Sequence, residues 1–295
     1  MNKYKFLILG SVAVGMLSCG GPKSTKTDNS GIDTASSSSD YNEIMKGKQI
    51  LYSLPSPVEA AALLKSSGAK FDINYLNATA KVGHYASNTA KALNLGVYAT
   101  DLIFANIFGQ TQASADYFKC ANSLGVNLGI TDAFGEGTFK RMKANMDNKD
   151  SLMSIIAEAS LDADAYFKEN ERPDASALVA TGGWIEGIYI ASKIAASTNN
   201  AGIINRVAEQ KNSLNNLLAL VEGFEKDKEV VPVVADLKSL KSVFDGLQVK
   251  EDTQTPTPAK GGPAMVGAVK HLEITPEQLK AICDKVEQIR NNITK

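Results

Sequence analysis

Asp101 and Glu186 are the two residues whose surroundings most invite chemistry. Each sits in a run of apolar neighbours, ALNLGVYATDLIFANIF around the first and ALVATGGWIEGIYIASKIAA around the second. An isolated carboxylate in such company loses its water and costs several kcal/mol unless a base or a hydrogen-bond donor satisfies it. Two readings follow. In one, each acid meets a structural partner, with Lys193, Arg141, Arg206 or a helix-end amide as candidates. In the other, both line one pocket with Tyr98, Trp184 and His84. Burial would there raise the carboxyl pKa values and suit them to proton transfer or to holding a cationic ligand. Paired carboxylates also serve glycoside hydrolysis, where the separation between them decides.

Other candidates are sparse. His84 and His271 are the two histidines. A metal site built on imidazoles this far apart would need carboxylates that the sequence does not group with them, so no metal and no cofactor are expected. No serine lies in a nucleophile-elbow sequence, which leaves His84 as a base without a nucleophile. Cys120 and Cys283 stand beside apolar positions in helical patterns and read as buried thiols, with a disulfide between them open in an oxidising compartment. Asn77 and Asn292 match a glycosylation acceptor pattern, to which no weight is given.

Cys19 carries a different chemistry. It follows Met1-Asn2-Lys3-Tyr4-Lys5 and the apolar run from Phe6 to Leu17, a basic n-region and an h-region too short to cross a hydrocarbon core of roughly 30 Å. Met16-Leu17-Ser18-Cys19 has the order of a lipobox, with the leucine one place nearer the cysteine than usual. Residues 1–18 are thus expected to be a lipoprotein signal peptide, and Cys19 the lipidated residue, carrying palmitate-type chains. Two or three acyl chains, at about 0.8 kcal/mol per buried CH₂, hold a protein on a membrane far more firmly than one. The location expected is the bacterial cell envelope, on the outer membrane facing the periplasm.

Residues 20–42, GGPKSTKTDNSGIDTASSSSDYN, are more than half Gly, Ser and Thr. Such a segment buries too little to offset its ordering entropy, so with Cys19 it reads as a flexible tether over 19–42. The chain holds 31 Lys and Arg against 32 Asp and Glu, a formal net charge of −1. Loss of Lys3 and Lys5 with the signal makes the mature protein slightly more acidic. Nucleic acid is therefore excluded as a partner class, and the expected contacts are the membrane through Cys19 and an envelope protein.

What must position Asp101 and Glu186 is a set of helices. Ser56-Pro57-Val58-Glu59 has the order of a capping box with proline at the first helical position, and Gly68 ends that segment. Apolar residues recur at three and four from Leu152 to Phe167, from Ile203 to Phe224 and from Val233 to Leu247, each predicting a helix with one buried stripe. Thr275-Pro276-Glu277-Gln278 is a second capping box, opening a helix whose face is Leu279, Ile282, Cys283, Val286, Ile289 and Ile293. Leu93 to Phe108 and Ala175 to Ala196 are apolar nearly all round and predict two central helices. Glycines 182, 183 and 187 suit close packing there, and Glu186 with Lys193 argues against a membrane span. No stretch alternates with period two for long enough to predict a strand. The fold expected is all-α: a multi-helix bundle or irregular array of helical hairpins around two apolar central helices, in a single domain over 43–295. Residues 250–270, with Thr-Pro-Thr-Pro and Gly-Gly-Pro, read as a long loop before the last helix.

Residues 92–130, ALNLGVYATDLIFANIFGQTQASADYFKCANSLGVNLGI, resemble a segment of uncharacterised all-helical lipoproteins of Bacteroidetes-type bacteria. Together with the signal and tether that agree with it, the resemblance covers just over a quarter of the chain and implies location and fold, with no assigned activity. Some lipoproteins of that group reach the cell surface through an acidic run after the cysteine; Gly20-Gly21-Pro22-Lys23-Ser24-Thr25-Lys26 is basic instead. A looser likeness to tetratricopeptide hairpins rests on Leu95-Gly96, without the period of about 34 residues that such arrays keep. Three functions are compatible with these residues: a non-enzymatic lipoprotein binding a partner protein, a peptide or a small envelope ligand; a glycan or cell-wall hydrolase working through Asp101 and Glu186; and a passive structural subunit of an envelope complex.

Overall fold

The computed structural model describes residues 57–130, 136–146, 148–252 and 269–295, all of which fall in one compact unit. Cys19, the tether, Ser56 and the middle of the 250–270 segment lie outside the described residues.

Helix α1, Pro57–Ser66, ends where the sequence placed a terminating glycine. Gly68 turns at φ +82°, and the Ala69 amide donates back to the Leu64 carbonyl at 3.2 Å. Two 3₁₀ turns, Ile73–Tyr75 and Thr79–His84, lead into α2, Asn88–Ile107, which the Ser87 side chain caps by accepting from the Ala90 amide. Helix α3, Thr111–Asn127, returns along α2 after Gly109, at φ +73°. Then come α4, Glu136–Ala144; α5, Lys149–Glu169; α6, Pro173–Thr198; α7, Ala201–Glu222; and α8, Val231–Asp245. The last helix, α9, Pro276–Ile293, begins with the complete capping box of Thr275 and Gln278.

The fold is all-α, an array of helices with α2 and α6 at its centre. These two run in the same direction, since rising numbers on one meet rising numbers on the other: Leu93 lies against Gly182, Gly96 against Gly183, and the Thr100 hydroxyl donates to the Gly183 carbonyl at 3.2 Å. Glycine makes that approach feasible. A Cβ on Gly96 would stand 2.0 Å from the Val179 carbonyl oxygen, and one on Gly182 only 1.8 Å from that of Leu93. Gly187, which the sequence grouped with them, has open space around it. Helix α3 packs on α2, α7 packs on α6, and α9 lies antiparallel on α6 with α8 beside it. The stripes expected from periodicity are the buried ones: Leu152, Ile155, Ile156, Ala159, Ala163 and Phe167 on α5, and Ile203, Val207, Leu214, Leu217, Leu218 and Val221 on α7.

One feature of the fold corrects the sequence reading. Residues at both ends of the expected 250–270 loop are strands: β1, Gln248–Asp252, pairs antiparallel with β2, Val269–Glu273, in the register Lys250 to His271. The two segments, QVKED and VKHLE, are too short and too polar to announce themselves by alternation. Cys120 and Cys283 are both free thiols, donating weakly to the Thr79 and Ser192 carbonyls, respectively, at 3.8 Å. Among the described residues no helix is long and apolar enough to cross a membrane.

The glycine contact predicts a sharp contrast. Gly182→Ala should lower the melting temperature by the equivalent of at least about 1–3 kcal/mol, the usual cost of forcing volume into a packed interior. Gly187→Ala, with nothing within 4 Å, should leave it unchanged or raise it by up to about 1 kcal/mol through helix propensity. Thermal melts followed by circular dichroism measure both; equal losses would mean that the α2–α6 approach is not limited by these backbones.

Candidate functional site

Asp101 on α2 and Glu186 on α6 do come together. Both are 0 % exposed. The residue that joins them is Arg290, from the last helix and 8 % exposed. Its Nε donates to Glu186 Oε2 and its Nη2 to Glu186 Oε1, each at 3.0 Å, a bidentate fork. The guanidinium also stacks on Tyr189, 4.7 Å from the ring centre. On the other side, the Asn77 backbone amide donates to Asp101 Oδ2 at 3.0 Å. Asp101 Oδ1 accepts no hydrogen bond, and the Asp101 and Glu186 carboxyl groups are electrostatically coupled.

Two carboxyl groups so coupled do not both ionise when buried. Burial pushes both acids up, and Glu186 is pulled back by the Arg290 guanidinium. Asp101 is pushed well above the usual carboxylate range by burial first and by the negative Glu186 second, against smaller opposing effects of the Asn77 amide and Arg290. The proton therefore resides on Asp101, beside the ionised Glu186. Burial alone would weaken the hold of Arg290 on its proton, but Glu186 more than offsets this and the side chain stays cationic. The cluster is one ion pair plus one neutral acid, with its charges balanced internally.

The structure places the remaining candidates differently. Tyr98 is fully buried beside this cluster, its hydroxyl donating to the Ala78 carbonyl at 2.9 Å. Trp184 is buried on another face of α6 and donates to the Gln210 side chain at 3.2 Å. His84 is exposed at the end of the second 3₁₀ turn and does not line the acid pair. The pocket reading places His84 with the acids; the turn instead directs the ring to solvent and gives Tyr85 to the core. His271 belongs to β2. Among the described residues no cluster of His, Cys, Asp and Glu could hold a metal ion. Cys120 is pushed up to about 11, by burial first and by Asp101 second, which makes it a poor nucleophile.

None of the bases considered from sequence reaches the acids. Lys193 pairs with Glu287 at 2.8 Å, Arg141 with Glu158 at 2.6 Å and Arg206 with Glu209 at 2.9 Å. Arg290 was missed, although a signal exists: position 290 follows Val286 by four and Cys283 by seven, on the apolar stripe of α9. A charged residue on such a stripe calls for a buried counter-charge. The end of α9 is held further by Asn94, whose amide donates to the Ile293 carbonyl at 2.8 Å, and by Lys81, which donates to that of Thr294 at 2.7 Å.

Glycoside hydrolysis needs two carboxyl groups about 5 Å or more apart with sugar and water between them. Here they are closed to solvent, coupled to each other and neutralised by an arginine. The arrangement locks three helices together and offers no reacting atom a place. No family model, no curated protein and no solved structure matches this chain.

Arg290→Met should cost about 3–5 kcal/mol, since it leaves Glu186 charged and buried without its partner. Asp101→Asn stays uncharged beside Glu186 and keeps the acceptor for Asn77, and should be tolerated. Its pH dependence has a definite sign. Asp101 has a raised folded-state pKa, so its stabilising contribution is complete below the ordinary Asp value of about 3.9 and is lost as pH climbs toward the raised value. The melting temperature of Asp101→Asn relative to the parent should therefore increase steadily from pH 4 to pH 9; a constant difference would place the proton elsewhere. Asp101→Ala and Glu186→Ala should both melt far lower than the parent.

Proposed function

We propose that the protein is a membrane-anchored envelope lipoprotein whose helical body binds a partner protein, a peptide or a small envelope ligand and performs no bond chemistry on it. Two features support this reading. The order Lys3, Lys5, apolar run, Ser18, Cys19 is that of a signal ending in a lipid-attachment cysteine. The observation that carries the binding role is the state of the acid pair: the residues best suited to catalysis are sealed inside and used to hold the fold. The location that goes with the reading is the outer membrane, on its periplasmic side. The basic residues Lys23 and Lys26 after the cysteine stand where an acidic export run would be needed.

Metabolic labelling tests the anchor. Radiolabelled palmitate should enter the full chain and not a Cys19→Ala form, which should also leave the membrane fraction for the soluble one. Incorporation into both forms, or identical fractionation of the two, defeats the proposal.

A further inference from the structure

A groove of ≈ 570 Å³ lies between α1 and the start of α5 and closes on the end of α2. Its size is that of small-ligand sites. Ala62, Ile107 and Met153 give it an apolar wall, and Lys65 and Lys149 enter it from opposite helices, with Asp150 and Ser66 completing the lining. Lys65 is fixed: its Nζ donates to the Ile107 carbonyl at 2.6 Å and stands 6.0 Å from the centre of the Phe108 ring. Lys149 Nζ reaches the same corner, 3.1 Å from where a Cβ on Gly109 would be. Neither ammonium has a carboxylate partner among the described residues, and Asp150 forms no ion pair with either. Desolvation and the neighbouring Lys149 charge both lower the pKa of Lys65. Two like charges are thus held side by side above an apolar wall, and Lys65 already has its acceptor while Lys149 has none.

We propose that this groove binds a small amphiphile with a carboxylate head, the carboxylate bridging Lys149 and Lys65 and the hydrocarbon lying on Ile107, Met153 and Ala62. Charge complementarity selects the head, because an anion between the two ammonium groups relieves their repulsion. The wall selects the tail. This rests on the reading of the protein as a binder and names its ligand class.

Calorimetric titration of the full chain carrying Cys19→Ala, which has no acyl chains to compete, tests it with sodium octanoate, octyl glucoside and inorganic phosphate. Octanoate should bind, with octyl glucoside and phosphate each at least about tenfold weaker for want of the charge or the tail. Lys149→Glu should abolish octanoate binding while keeping or raising the melting temperature, since the new carboxylate pairs with Lys65. Octanoate binding undiminished in Lys149→Glu overturns the site, as does phosphate or octyl glucoside binding as tightly as octanoate, and as does no octanoate binding by a folded protein. Each of these would leave the palmitate result, and with it the anchored-binder reading, untouched.

Discussion

Arg290 supplies a positive charge in a place that solvent barely reaches, and the rest of the architecture is arranged around keeping it satisfied. Glu186 takes both arms of its guanidinium, Tyr189 takes its face, and Asp101 keeps its proton beside Glu186. Three helices far apart in sequence therefore have a single relative placement in which no buried charge is left over. Such a cluster adds little to net stability when complete, because desolvation consumes most of its Coulomb energy. Its effect is on alternatives: a register shift of α9 by one residue would bury an unpaired guanidinium and strand two acids. Against a total stability of about 5–15 kcal/mol, a penalty of several kcal/mol removes misplaced packings from the ensemble.

The glycines and the charge cluster depend on each other. Gly96, Gly182 and Gly183 bring two backbones so close that side chains are excluded at the contact, and the acids one turn further along are closed to solvent. If α2 and α6 stood at an ordinary helix spacing of 8–10 Å, solvent would enter, Asp101 would ionise, and two negative charges would face one guanidinium. The close approach thus sets the protonation state, and the protonation state allows the acids to lie side by side. Burial also pushes Tyr98, Tyr117 and Cys120 toward their neutral forms, so the neighbourhood adds no further charge.

Much of the fold was legible because it rests on local rules. The capping box at Thr275, the terminating Gly68 and the three- and four-residue spacing on α5, α7 and α8 are written within single segments. So was the buried character of Asp101 and Glu186, since an all-round apolar helix has no solvated face on which to put them. Their partner was harder to see. Arg290 lies 104 residues from Glu186, and the bases nearer in sequence, Lys193 and Arg206, turned out to serve surface pairs. Position on the apolar stripe of α9 was the usable signal. The β1–β2 ribbon was illegible for the opposite reason: its strands carry charges at half their positions, and pairing between two five-residue segments leaves no hydrophobic pattern. The groove beside Lys65 could not be read at all, because it is made by the ends of three helices whose meeting is a property of the packed array.

The distribution of balanced and unbalanced charge separates what holds this protein together from what it can offer to others. Inside, charge is balanced residue by residue. On the surface, many charges are balanced within one helical turn, as in Lys140 with Glu136, Lys241 with Asp245 and Lys280 with Asp284, pairs worth only a few tenths of a kcal/mol each. Lys65 and Lys149 break that habit: brought together from α1 and α5, they leave a positive corner beside apolar surface. A corner of that kind contributes nothing to folding and is mildly unfavourable in the empty protein, by like-charge repulsion that surface water largely screens. Recognition gains from such a residue of unbalanced charge, because no acid among the described residues pairs with it.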